Sequence, residues 1–568
     1  MAAFMVLLVQ AGCAPSPQAT SKGETGASAP ARNGATPRKV VIGIAAEINT
    51  LAYKFEGNNA YAGDFTWMVN SPLAFRDRQG RANPLLATQL PSQDDGSWTV
   101  NPDGTMATVW KIRPNAVWQD GQPVVPRDFQ FALKAYMDPA MTVSNRVPEE
   151  FIDHIDEVDD KTFSIAWNRT YPWANELING QLEPLPEHIV GQFFTAGGAA
   201  TFLSNSYWTT PAYVGEGPFR LAGWDPGSQL VYRAFDDYFM GRPKLDEVTF
   251  RIIGDTDTMV SNVLAGTVDT VTGITLGGAA GATIRDQWSK TGDGEIASYP
   301  VLFRYAQIQF DPNRNRQPAL FDQRVRQAIV QGIDRESIAQ LATEGLSPKA
   351  DVMVSPNDPL FPQVDSAIAK HPYDPNRAAA LLRDAGWPQQ GQGLANSAGE
   401  LFSLDIWTTA GNANEAEMSS IAANLTQLGM QINGSVIPQS RMRDNEYRVS
   451  FPGLNMTAFS IDIPSNMNIA YSDQCTSAEH HFAGQNRGCW SNPDYDRLYQ
   501  TAITTLNPAE RNDAVVNAWK VLTENVGIFG LSYTPESIPV KKGLSGPGPR
   551  WPAQLGGTWN VQDWQWTQ

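Results

Sequence analysis

The residues of this 568-residue chain that could carry reaction chemistry are five histidines, three cysteines and a scatter of carboxylates. His154, His188, His371, His480 and His481 form no helical metal motif, and none stands beside a Gly-x-Ser-x-Gly turn that would present a nucleophile. No glycine-rich loop follows a strand pattern at the spacing that cradles phosphates. Adjacent carboxylates such as Asp159 and Asp160 fall in turn-rich sequence, where solvated structural roles prevail. The residue types therefore point to binding rather than catalysis, with no enzyme activity, no cofactor and no metal expected. Cys475 and Cys489 lie 14 apart in a polar, glycine-containing segment. A disulfide closing such a loop contributes about 3 kcal/mol in the chain-entropy model. The competing reading is a zinc site using His480 and His481 between them, but the spacing fits no familiar finger.

The whole chain sets the setting for those residues. Its length exceeds what one core serves, so two or three domains are expected. A hydrophobic share of 42% is ordinary for a folded protein, and a net charge of -17 leaves no basic footprint for nucleic acid. No internal run approaches the roughly 20 apolar residues that span a bilayer. The first residues, MAAFMVLLV followed by Gln10, Ala11, Gly12 and Cys13, resemble the end of a bacterial lipoprotein signal peptide. No Lys or Arg precedes the apolar run, and Gln10 stands where such signals usually carry Leu. The expectation is export, with residues 1–13 as signal, Cys13 lipidated and residues 14–38 a flexible tether of Ser, Thr, Gly, Ala and Pro. Export also favours the disulfide over zinc.

The element that orders the reading of the body runs from Lys111 to Pro139. Thr108 to Arg113 alternates as a strand, Pro114 ends it, and Asp120-Gly121 signals a turn. Pro126 and Asp128 then open an amphipathic helix with Phe129, Leu133 and Tyr136 on one face. The spelling Arg113-Pro114-Asn115-Ala116-x-Trp118-x-Asp120-Gly121-x-Pro123, continued by Asp128-Phe129, resembles the signature segment of the family 5 extracellular solute-binding proteins. These are the oligopeptide and dipeptide receptors of bacterial ABC importers. Further segments resemble the same family in order: Gly215 to Trp224, Tyr238 to Phe250, Phe321 to Arg335, Tyr373 to Trp387, and Ser491 to Leu498.

The resemblance implies an α/β fold of the type II periplasmic-binding-protein kind, two α/β lobes joined by a hinge plus an inserted third domain. On that pattern the first lobe takes residues 39–80, 206–302 and 524–568, the inserted domain 81–205, and the second lobe 303–523. The strand Phe303 to Phe310 would cross between lobes. Independently, Leu401 to Trp407 and Met430 to Ile437 read as strands joined by the helix Ala416 to Leu428, which implies parallel pairing.

In peptide-binding members an aspartate of the second lobe meets the ligand's ammonium. The matching segment here, Ala458 to Pro464, implies Asp462 in that role with Phe459 beside it. Arg304, charged on an otherwise apolar strand, is a candidate for a ligand carboxylate, and Trp407, at a strand end, for the pocket wall. The expected protein is a monomeric receptor that captures oligopeptides, or another small solute such as an oligosaccharide or nickel chelate, for a membrane permease. The 17 tryptophans suit sugar stacking as the alternative. A secreted hydrolase and a purely structural surface lipoprotein are the readings from other classes.

Overall fold

Two long strands, Gly294–Ile308 and Ile528–Lys541, run antiparallel from the pair Gly294 with Lys541 to the pair Gln307 with Ile528. They form the middle of a ten-stranded mixed sheet in this computed structural model. The structure describes residues 38–55, 61–143, 145–442, 444–479, 481–552, 554 and 556–567. Residues 38–568 form one compact unit. The expected lipidation site, Cys13, and the tether lie outside the described residues.

At one end of the pair, Thr270 joins Val540, followed outward by Lys39–Ile44, Glu247–Ile252, Gln229–Ala234 and Phe219–Asp225. At the other, Leu302 to Ile308 pair with Ser460 to Leu454, followed by Ser403–Thr409 and then Gln431–Ile437. The last two run parallel, as the intervening helix Asn412–Gln427 requires. A register shift between Pro300 and Leu302 falls where the crossing strand, still paired with Ile528–Lys541, gains Leu454–Ser460 on its other edge. Each end buries its own apolar faces. Ile42, Val248, Phe250 and Tyr232 pack at the first, Ile308, Ile329, Leu404 and Leu454 at the second, with Phe303, Tyr305, Trp519 and Tyr533 on the second end's opposite face.

A separate four-stranded sheet, Trp98–Val100, Met106–Lys111, Thr162–Trp167 and Ile152–Asp159, packs on the helix Pro126–Met137. Here local sequence signals suffice. Pro126 starts the helix, and Asp128 takes back the Val125 N–H at 3.0 Å and the Trp118 indole N–H at 3.0 Å. Phe129 and Tyr136 are buried on its inner face, Leu133 partly so. The helix Pro375–Asp384 repeats the device: Asp374 accepts from the Arg377 N–H at 2.8 Å, and Gly386 follows at φ 88°.

The structure departs from sequence expectation where prolines and glycines interrupt a pattern. The first crossing strand begins well before Phe303, at Gly294, and the second runs on to Lys541, because Pro300, Pro535 and Pro539 break the alternation without ending the ladder. A short strand, Ala82–Pro84, is followed by Ala87 in an isolated bridge to Ile112. Pro186 precedes a helix, Glu187–Leu203, interrupted at Gly198. Cys475 and Cys489 form a disulfide, which uses the sulfurs that a zinc site would need; His480 lies outside the described residues.

The disulfide closes a loop that packs against the end of the crossing strand: the Phe310 N–H donates to the Gly488 carbonyl at 2.7 Å. Cys489→Ser is expected to lower the unfolding free energy by about 3 kcal/mol, read as an earlier midpoint in urea with an intact native baseline.

Candidate functional site

At the register shift of the crossing strand lies a cavity of about 550 Å³, within the range of roughly 300–1,000 Å³ usual for ligand sites. Its walls come from segments far apart in sequence: Tyr53 and Lys54, Arg76, the loop around Trp173 and Glu176, Leu302, Ser460 to Ser465, and Arg550 with Pro552. Both ends of the central sheet and the smaller sheet's loops therefore contribute.

Charges of both signs face this space. Arg76 donates through Nε to Glu176 Oε2 at 3.0 Å, and its backbone N–H is held by Gln554 Oε1 at 2.8 Å. Asp462, on the loop after the strand Leu454–Ser460, lines the same cavity. Burial pushes its carboxyl up, while the Arg76 charge and a hydrogen bond from Ser465 pull it down. The Asp462 backbone is fixed by the Asn466 N–H donating to its carbonyl at 2.7 Å. Asp462, beyond the end of a central strand, and Arg76, on the short strand Ala74–Arg76 of a separate two-stranded sheet, thus feel each other's charge.

One wall rests on a buried ion pair. Lys54 meets Glu149 at 2.6 Å with both side chains nearly inaccessible, and Lys54 also donates to the Gly180 carbonyl. Glu149 accepts from the Leu182 N–H, and neighbouring Glu183 takes the Asn179 amide and the Gly180 N–H at 2.9 Å each. Tyr171 and Trp173 supply aromatic surface; Tyr171 stacks on Trp167 at 5.5 Å, and the Arg511 guanidinium lies over the Trp173 ring at 5.6 Å.

A second charged cluster sits where the crossing strands pair. Glu536 accepts from the Tyr299 hydroxyl at 2.6 Å and pairs with Arg550 at 3.2 Å. Nearby Asp64 accepts from the Gly557 N–H at 2.7 Å. Burial, then the Glu536 charge, pushes the Asp64 carboxyl up to about 7, against the Gly557 hydrogen bond and Arg550.

Of the residues singled out in the sequence, Asp462 lines the cavity; the others do not. Arg304 is corrected: its guanidinium is committed to Glu417 on the helix Asn412–Gln427, with Nε 3.1 Å from both carboxylate oxygens, so it is not free for a ligand. Trp407 packs against Tyr447 with ring centroids 5.2 Å apart, away from the cavity lining. Phe459 packs toward Phe303 and Tyr305, leaving its neighbour Ser460 at the wall. His188 and His371 have structural partners, Asp120 at 2.7 Å and the Thr523 carbonyl at 2.9 Å. Arg76, Glu176, Lys54 and Trp173 were missed. They sit on or beside irregular segments, and the Arg76–Glu176 contact joins positions 100 apart, so no periodicity marks them; the Tyr171-Pro172-Trp173 cluster was the available hint.

Comparison with known proteins fits this geometry. Residues 83–477 match the family model described as "Bacterial extracellular solute-binding proteins, family 5 Middle". The oligopeptide-binding protein AppA of Bacillus subtilis is 23% identical over 555 residues, covering 96% of this chain and 95% of that protein. The structure of an oligopeptide-binding protein from Thermus thermophilus complexed with a pentapeptide superposes with a TM-score of 0.70 at 22% identity, over 93% of this chain and 96% of that one. NikZ from Campylobacter jejuni in complex with Ni(L-His) gives a TM-score of 0.70 at 18% identity, over 93% and 99%.

Two outcomes follow from the buried charges. Lys54→Met strands Glu149 without its cation and is expected to cost about 3–5 kcal/mol in chemical denaturation. For Asp64 the folded carboxyl holds its proton more tightly than the unfolded one, so stability falls as pH rises from about 4 to about 7 and is level above. Asp64→Asn keeps the acceptor for Gly557 and should flatten that slope in urea melts taken across the range.

Proposed function

Because the chain belongs to the bacterial extracellular solute-binding proteins of family 5, we propose that it is the exported receptor of an ABC importer, capturing oligopeptides and handing them to a membrane permease. The observation that carries the peptide reading is that Asp462 and Arg76 line one cavity and feel each other's charge. A ligand ammonium entering between them would pair with Asp462, and desolvation of that carboxylate makes an unmatched ligand costly. The remaining recognition comes from Tyr171 and Trp173 and from main-chain groups, which accept varied side chains.

In this reading the two ends of the central sheet act as lobes that close on the ligand, with the turning point at the shift between Pro300 and Leu302. The sheet carrying Trp110 and Phe163 is the inserted domain, and lipidated Cys13 with its tether holds a monomeric receptor at the membrane. The receptor releases its ligand unchanged. A second reading, capture of another small solute such as a metal chelate, is supported by the equal TM-scores to the peptide-bound and Ni(L-His)-bound relatives.

Native mass spectrometry of the purified protein, followed by denaturing release, tests the reading without a guess at the ligand. Peptides with free amino termini are expected; a released metal chelate or sugar would end the peptide assignment. With a peptide in hand, Asp462→Asn should weaken binding by about tenfold or more, the scale of one charge-assisted hydrogen bond. The same peptide acetylated at its amino terminus should show no difference between the two proteins in calorimetry.

A further inference from the structure

Two arginines at the second end of the sheet have no partner. Arg448 lies on the helix Asn445–Val449, and Arg487 in the loop closed by Cys475 and Cys489. The end of the crossing strand ties both segments down. Gln307 Nε2 donates to the Gln485 carbonyl at 3.1 Å and the Phe310 N–H to the Gly488 carbonyl at 2.7 Å, so Arg487 is held from both sides. Gln309 Nε2 donates to the Val449 and Phe451 carbonyls at 3.3 and 2.9 Å, which fixes the backbone just after Arg448. Both guanidinium charges act on the buried Tyr305 of the same strand, whose hydroxyl oxygen accepts from Gln307 Nε2 at 3.4 Å.

Neither guanidinium has a hydrogen-bond or ion-pair partner among the described residues, although each residue is only partly exposed. Burial, then the Arg487 charge, pushes Arg448 down to about 10, and burial lowers Arg487 as well. Both therefore stay charged at neutral pH. Tyr305 does not offset them, because burial keeps its phenol protonated. Of the carboxylates on or beside these segments, Asp444 pairs with Arg441 at 2.8 Å, Asp473 accepts from the Tyr471 hydroxyl at 2.7 Å, and Glu446 and Glu479 are exposed. Elsewhere the chain matches its buried arginines: Arg335 meets Asp351 at 2.8 Å, and Arg326 donates to the Asn525 and Leu320 carbonyls at 2.8 and 2.9 Å. Two unmatched like charges cost stability, and they call for an anion that the chain itself does not supply.

We propose that Arg448 and Arg487 form a binding site for a free, doubly charged oxyanion, phosphate or sulfate, separate from the ligand cavity. Neither arginine lines that cavity, and the assignment does not depend on which solute the cavity holds. Guanidinium forks suit tetrahedral oxyanions through paired N–H donors. The Tyr305 O–H, which donates to no acceptor among the described residues, is available as a further donor. A single carboxylate would leave one of the two charges uncompensated, whereas a dianion cancels both. Arg487 stands two residues before Cys489, so the disulfide holds one half of the site in place.

The test is calorimetry on the full chain in chloride buffer at fixed ionic strength, with sodium sulfate, phosphate or acetate as titrant. Expected is one-to-one binding of sulfate and phosphate, with acetate at least about tenfold weaker. Arg448→Met and Arg487→Met keep an apolar stem and remove one charge; each should weaken sulfate binding by about tenfold or more. Without the oxyanion, either variant should have a urea midpoint no lower than the parent's, since one of two repelling charges is gone. Cys489→Ser, still folded without denaturant, should also bind sulfate more weakly. If the parent binds neither dianion, binds acetate as well as sulfate, or loses nothing in either arginine variant, the site is overturned. Should a variant fail to fold, the parent's preference for sulfate over acetate decides.

Discussion

The structure depends on the antiparallel pairing of Gly294–Ile308 with Ile528–Lys541. Every other strand of the large sheet is added outward from this pair, one set at each end, so the pair must be stiff enough to hold two cores in one sheet. It is buried along most of its length, with Phe303, Tyr533 and Tyr299 inaccessible. Yet Pro300 stands opposite Pro535, and the register slips immediately afterwards. Proline removes a ladder donor on each strand, so the backbone holds itself less tightly at that point than on either side. A bend there costs fewer hydrogen bonds than a bend among Tyr305, Gln307 and their partners. The cavity opens at this same place, which makes local weakness in the ladder and access to the ligand space one feature of the chain.

Keeping charge in and around that space carries a stability cost. Lys54 with Glu149, and Arg550 with Glu536, are pairs with almost no exposure. Pairs of this kind seldom stabilise more than apolar residues of similar volume would. Even paired, Glu149 and Glu536 each retain a carboxylate oxygen with no hydrogen-bond partner among the described residues, as does Asp64. A core selected only for stability would not hold three such groups. Their value lies in orientation: Lys54 joins the Glu149 region to the Gly180 loop that lines the cavity, and Arg550 fixes the segment at Pro552 in the same wall.

The fold was legible wherever a signal was local. Pro126, Asp374, Pro375 and Gly386 mark helix ends through backbone chemistry that works within four residues, and the structure uses each of them that way. The parallel pairing of Ser403–Thr409 with Gln431–Ile437 followed from strand, helix and strand in succession. The long reach of the crossing strands was not legible, since prolines inside a strand look like its end. The site was less legible still. Asp462 was singled out by its resemblance to a known segment, and Arg304 as a lone charge on an apolar strand that proved to be satisfied by Glu417. A partner 113 positions away leaves no local trace in the sequence.

This asymmetry has a physical source that bears on how such a scaffold acquires ligands. The strands and helices are specified by repeating patterns that tolerate exchange of one apolar residue for another, which is why relatives near 20% identity keep the architecture. The cavity is specified by single side chains, Arg76, Glu176, Asp462 and Trp173, delivered by three different loops or strand ends. Substituting any one of them changes the charge or the shape offered to a ligand without touching the patterns that build the sheet. The same scaffold can therefore hold a pentapeptide in one relative and a nickel–histidine complex in another. In this chain the sign and position of the charges around the cavity, rather than the fold, set what the cavity can hold.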